Sequence, residues 1–212
     1  MQPDFLADQI DRSRANLGLD TLDIFYLHNP ETQLGFVTRE EFERHIGLAF
    51  TRLEEIAAAG KIRYYGTATW DGYRRPAGAR DALDLARLVE IAREVGGAGH
   101  HFRYIQLPFN LAMPEAFSNG VLELARRSNI AVVASATLLQ ARLSRDLPEA
   151  LAEKLPGLAT DAQRAIQFTR SAPGISVALV GMSNATHVME NLAVARVEPM
   201  PEHAYRDLYQ RA

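Results

Sequence analysis

Hydrophobic positions along the chain alternate between helical stripes and short continuous runs. Leu6, Ile10 and Leu17 share one face of a helix predicted over Asp4–Leu17, and Gly18 follows where a left-handed residue ends a helix. The run LDIFYLHN predicts a strand, Leu22–Leu27, with apolar side chains at both parities, as in a parallel strand covered on both faces. A second helix is predicted over Arg39–Ala59. Thr38 and Glu41 fit a capping box, and Phe42, Ile46, Ala49, Leu53 and Ile56 form the stripe. Gly60 ends it. The grammar then repeats: strand Ile62–Thr67 and helix Ala79–Val95, strand Arg103–Leu107 and helix Pro114–Arg127, strand Ile130–Ser135. A longer loop leads to a helix near Thr160–Arg170, with Thr160 and Gln163 as a second capping box. Strand Ile175–Val180, helix Asn184–Ala195 and a last helix from Glu202 complete the series. Five βα units in succession predict an α/β fold with a parallel sheet and helices outside it. Thr69–Gly78 reads as a loop long enough to lie over a site.

Composition narrows the class. The 212 residues are 47% hydrophobic and 23% charged, ordinary for a globular protein, and fit a single domain over 1–212. There is no cysteine, which excludes disulfides, thiolate metal sites and a catalytic thiol. A formal net charge of −3 argues against electrostatic capture of nucleic acid. No apolar run approaches the ~18–20 residues of a membrane span, and the charged N-terminus does not read as a signal peptide. The expectation is therefore no nucleic acid, no membrane and a cytoplasmic location.

In parallel α/β folds ligands bind at the carboxyl ends of strands. The residues there are His28, Asn29 and Glu31; Thr67, Thr69 and Trp70; Gln106 and Asn110; Ser135 and Thr137; and Gly181, Met182, Ser183 and Asn184. His28 is the one that titrates near neutrality, although a histidine at a strand end is more often structural. VGMSNATHVMENL runs from a strand into a helix N-terminus, whose free N–H groups favour an anion. A simple turn with an N-cap explains that segment as well. His100 and His101 precede a strand and read as a solvated loop pair. Arg74, Arg75 and Arg80 read as a solvated loop face that an anionic ligand could reach.

Taken together, the segments LGLDTLDIFYLHNP, GKIRYYGTATW, YIQLPFNL, VVASATLLQARL and VALVGMSNATHVMENLAVA resemble, in order, stretches of the aldo-keto reductase family. The resemblance implies a TIM barrel and NAD(P)H-dependent reduction of small carbonyl compounds. It implies that His28 orients the carbonyl oxygen and that Gln106 binds the nicotinamide carboxamide. Thr69 and Ser135 stand at further nicotinamide positions. Gly181, Met182, Ser183, Asn184 and His187 stand at the phosphate positions, and Glu190 with Asn191 at the adenine end. The cofactor is NADP or NAD. The family's catalytic Asp, Tyr and Lys have no counterpart here: Lys61 and Lys154 are the two lysines, and none of the seven tyrosines stands in the catalytic motif.

The expectation is thus a partial (β/α)8 TIM barrel of about five parallel βα units, truncated before the fourth strand. Such a chain is expected to be inactive alone and to self-associate through open sheet edges. The rival reading is a non-catalytic dinucleotide-binding or protein-interaction module on the same fold.

Overall fold

The computed structural model describes residues 1–210. Five parallel strands follow one another in chain order: β1 (Leu22–His28), β2 (Ile62–Ala68), β3 (Phe102–Pro108), β4 (Ala131–Ser135) and β5 (Ile175–Ala178). Among the described residues they form an open sheet. The chain divides into two compact units. One comprises Met1–Gln106 with Leu124–Ala131, and the other Leu107–Glu123 with Val132–Ala212.

In the first unit, α1 (Pro3–Leu17) opens with proline in its first turn and closes on Gly18 at φ 66°. Leu6 and Ile10 are buried, whereas Leu17, at the helix end, lies beyond the buried stripe and stays in solvent. α2 (Arg39–Ala58) packs against α1, β2 and α3 (Leu85–Gly96). Its predicted stripe is buried in full, joined by Phe50. The ring of Phe50 lies 5.0 Å from that of Tyr65 and 5.1 Å from that of Phe102. These rings seal the helices onto β2 and β3, and aromatic pairs at such spacing add to simple burial. Gly66 lets the two strands approach: a Cβ there would fall 2.1 Å from the Tyr104 carbonyl oxygen.

Three expectations change here. β1 is buried only at Leu22 and Leu27, with Ile24, Phe25 and Tyr26 half-exposed, because it pairs with β2 on one side and is an outer strand. The helix predicted from Ala79 begins at Leu85, where Asp84 accepts the Arg87 N–H at 3.2 Å. Arg39 explains the delay. Its guanidinium binds the carbonyls of Ala79, Arg80 and Ala82, the acceptors that a helical ladder would need. The helix predicted over Pro114–Arg127 is two: α4 (Glu115–Ser118) and α5 (Val121–Arg127), broken at Gly120 with φ 84°.

In the second unit β4 pairs with β5 in the register Val132↔Ile175 and Ala134↔Ala178. None of the β5 residues is buried, and the strand ends two residues earlier than expected. α6 (Glu149–Lys154) forms inside the stretch that the sequence reads as loop. α7 (Asp161–Ser171) packs on β5 and on α8 (Ala185–Leu192). α7 starts on a complete capping box, with Thr160 and Gln163 bonded reciprocally. α9 (Glu202–Gln210) brings Tyr205 against Phe117 and Phe168, at ring separations of 5.4 and 5.1 Å.

Candidate functional site

At the carboxyl end of β1, His28 is exposed. Asn29 turns the chain with φ 47° and ties the two strand ends together. Its N–H donates to the Ala68 carbonyl at 2.6 Å, and its Oδ1 accepts the Trp70 N–H at 3.1 Å. The turn Pro30–Gly35 then carries Glu31 inward, to 7% exposure. The Thr69 hydroxyl donates to Glu31 Oε1 and accepts the Gly72 N–H at 2.8 Å. The Thr69 N–H donates to the Gln106 carbonyl at 3.0 Å. Both functions of the hydroxyl are therefore used within the protein. Glu31 Oε2 is buried without a partner among the described residues. Below it, the hydroxyls of Thr67 and Tyr73 lie 2.5 Å apart. Burial pushes the Tyr73 phenol up, the Thr67 bond pulls it back, and the nearby Glu31 charge adds to the rise. Gln106 is half-buried, with its side-chain amide unpaired among the described residues.

The loop over this end is braced. Arg39 holds it from α2, and Arg80 donates to the carbonyls of Leu34 and Gly35 at 3.0 and 3.2 Å. Arg75 pairs with Asp81 at 2.9 Å and with Asp71 at 3.4 Å, and Arg74 pairs with Asp71 at 3.3 Å. Arg75 and Arg80 are exposed, as a solvated face requires, while Arg74 is half-buried; Arg74 and Arg75 pair within the loop and Arg80 ties it to the turn after β1. Sequence reasoning placed Glu31 near the strand end but gave it no role, and it passed over Tyr73. A glutamate in the first turn after a proline carries no local signal of burial.

In the second unit Ser135 is half-buried, and its carbonyl accepts the Phe109 N–H at 3.1 Å. Asn110 is fully buried and donates from Nδ2 to the Ala136 carbonyl at 2.9 Å. After β4 the backbone takes positive φ at Ala136, Leu139, Gln140, Ala141 and Asp146. Few L residues adopt that conformation, and such strain gathers at functional loops. At the start of α8, Asn184 accepts the Thr186 N–H at 2.8 Å, and Gly181, Met182, Ser183 and His187 are exposed. Segment 181–191 contains no lysine or arginine. Glu190 faces α7 instead of solvent: its Oε1 accepts the Thr160 hydroxyl at 2.7 Å and its carbonyl accepts Gln163 at 2.8 Å. The Asn191 Oδ1 is buried and unpartnered among the described residues.

Burial raises Tyr26 to about 12, and pushes Tyr65, Tyr73 and Tyr205 up as well. Lys61 is paired with Asp11 at 2.8 Å. No group of three metal-ligating side chains occurs among the described residues, and no helix there is long and apolar enough to cross a membrane.

A sequence profile of the aldo/keto reductase family matches residues 1–210. The chain belongs to that family. Solved structures agree on the fold. A thermostable aldo-keto reductase in complex with the inhibitor epalrestat superposes with a TM-score of 0.70 at 16% identity, covering 100% of this chain and 67% of that one. An aldo-keto reductase from Bacillus halodurans, in its apo form, gives 0.70 at 17%, over 100% and 69%. An aldo/keto reductase from Klebsiella pneumoniae, in complex with NADP and acetate, gives 0.66 at 20%, over 97% and 64%. This chain therefore spans about two thirds of the length of the structures it matches. The (β/α)8 class is confirmed, with five parallel strands of it described here.

Proposed function

We propose that this chain serves NAD(P)H-dependent reduction of aldehydes or ketones in the cytoplasm, with His28 orienting the carbonyl oxygen. The observation that carries the reading is His28 itself, exposed at the carboxyl end of β1 in a chain of this family. When bound, the nicotinamide cofactor would supply the hydride that the carbonyl carbon receives. The residues fit it in part. The unpaired amide of Gln106 suits the carboxamide, and the exposed amides at Ser183 and Asn184 suit a phosphate. Thr69 holds its own loop and has no hydroxyl hydrogen left to give. Segment 181–191 offers a 2′-phosphate no lysine or arginine and one imidazole, His187, so discrimination between NADP and NAD should be small at pH 8 and grow toward pH 6.

Burial tightens the protons of Tyr26, Tyr65, Tyr73 and Tyr205, which unsuits these four to donating to a carbonyl oxygen, and no tyrosine of the chain stands in the motif of the family's proton donor. General acid catalysis is worth ~10²–10⁴-fold, and we propose that the chain alone does not turn over. That same observation favours the second reading, a dinucleotide-binding or protein-interaction module. The exposed apolar side chains Val177, Leu179, Met182, Met189 and Leu192, on and after the outer strand β5, support self-association. One sample tests these points: NADPH titration followed by fluorescence, NADPH oxidation with a panel of aldehydes, and mass by light scattering. The expected result is weak binding, no oxidation and a mass above the monomer. Steady oxidation that disappears in His28→Ala would make the chain a complete reductase. Absence of dinucleotide binding would leave only the interaction reading.

A further inference from the structure

The adjacent histidines ahead of β3 are not the solvated pair their sequence implies. His100 is 4% exposed. Nη1 of Arg103 lies 2.9 and 3.2 Å from its two ring nitrogens and donates to the Phe102 carbonyl at 3.0 Å. His101 is half-exposed and is gripped by Glu54 of α2. Its backbone N–H donates to Oε1 at 2.7 Å, and Nδ1 lies 2.6 Å from Oε2. The Tyr65 hydroxyl also donates to Oε1, at 2.8 Å. A carboxylate in this position only accepts, so Nδ1 carries a hydrogen, and in the neutral ring Nε2 is then the acceptor.

An open pocket of about 590 Å³ lies at this end of the first unit, where β2 and β3 begin. Arg63, Tyr64, His101 and Arg103 line it. Arg63 makes one ion pair, to Asp23 at 3.4 Å. Arg103 uses only Nη1, so its Nε and Nη2 have no partner among the described residues, and neither has Nε2 of His101. The two acidic groups nearby offer little opposition. Glu54 already accepts three hydrogen bonds, and Asp23 is 74% exposed. The pocket thus presents two guanidinium donors beside one fixed acceptor.

We propose that this pocket binds inorganic phosphate in its hydrogen-bearing form. Arg63 and Arg103 take the oxyanion, and Nε2 of His101 accepts the P–OH. Near neutrality inorganic phosphate carries such a hydrogen, whereas sulfate does not and a phosphomonoester, with a second pKa of about 6, has mostly lost it, so the acceptor discriminates among ions of similar size. The pocket is at the amino end of the strands, away from His28, and the proposal stands whether or not a dinucleotide binds.

Calorimetric titration of the whole chain with inorganic phosphate, phenyl phosphate and sulfate, at pH 7.5 and fixed ionic strength, tests it. Saturable phosphate binding is expected, with sulfate weaker by about fivefold or more. Arg63→Gln, a change at a side chain 68% exposed, should weaken phosphate by about tenfold, the scale of one charge-assisted hydrogen bond. His101→Asn retains an N–H toward Glu54 and removes the outer nitrogen, so phosphate and sulfate should then bind equally. Cooperative unfolding of both variants confirms that they fold. Phenyl phosphate, a dianion without a P–OH at this pH, should bind more weakly than phosphate, and equal or tighter binding of it would overturn the proposal. No saturable phosphate binding, equal phosphate and sulfate binding in the wild-type chain, or unchanged affinity in Arg63→Gln would overturn the proposal.

Discussion

The Thr69 hydroxyl connects the turn carrying Glu31 with the loop that begins at β2. Valine has nearly the same shape and no hydrogen bond. Thr69→Val should leave both oxygens of Glu31 buried and unpartnered, and strip the Gly72 N–H of its acceptor. A buried group left unsatisfied costs about 1–3 kcal/mol. We expect a loss of roughly 2–3 kcal/mol in urea unfolding, and less than about 1 kcal/mol for Thr69→Ser, which keeps the hydroxyl. Equal losses for the two would show that the bond to Glu31 contributes nothing. Single residues also mark how far sequence reading reaches. The exposure of His28 at a strand end was legible, because the last residue of a strand stands where the chain leaves the sheet for solvent. The engagement of Glu190 by Thr160 was not, because the partners are thirty residues apart.

Helix starts were the best-read elements. A cap is decided within four residues, so Thr38 and Thr160 could be identified without any tertiary knowledge. Thr38 accepts the Glu41 N–H at 3.2 Å, and Thr160 completes its box with Gln163. Thr160 does more than cap, since its hydroxyl also donates to Glu190. Thr160→Ala should therefore cost about 1–2 kcal/mol, at the upper part of the range for lost caps. Thr38→Ala, with no such extra partner, should cost ~1 kcal/mol. Chemical denaturation of the two variants side by side gives the ordering, and a larger loss at Thr38 would contradict it. Helix α3 shows the opposite case. Its start depends on Arg39, more than forty residues away, and no local pattern around Ala79 contains that information.

For the molecule as a whole, buried phenols set an alkaline limit. Tyr65, Tyr73 and Tyr205 are essentially unexposed, and burial holds their protons well above the usual tyrosine range. Below pH ~10 these groups are neutral in both the folded and unfolded chain, and their contribution is complete. Above it the unfolded chain releases protons that the folded chain keeps, so stability falls as pH rises. Linkage gives about 1.4 kcal/mol per pH unit for each group, or ~4 kcal/mol per unit for the three. The urea midpoint should drop sharply between pH 10 and 11 after little change from pH 8 to 9. A flat profile through pH 11 would contradict this.

The sequence by itself determined the order of βα units, the strand positions, the caps and the residues at strand ends. Each of these rests on hydrophobic periodicity or on hydrogen bonds between near neighbours. Only the tertiary structure decided what those residues face. It gave Glu31 to Thr69, Glu54 to His101 and Glu190 to Thr160, and it left β1 and β5 partly open. A buried polar group must find its partner wherever folding brings one, and a strand is covered only where another element lies against it. Neither condition is written within a few residues of the group itself.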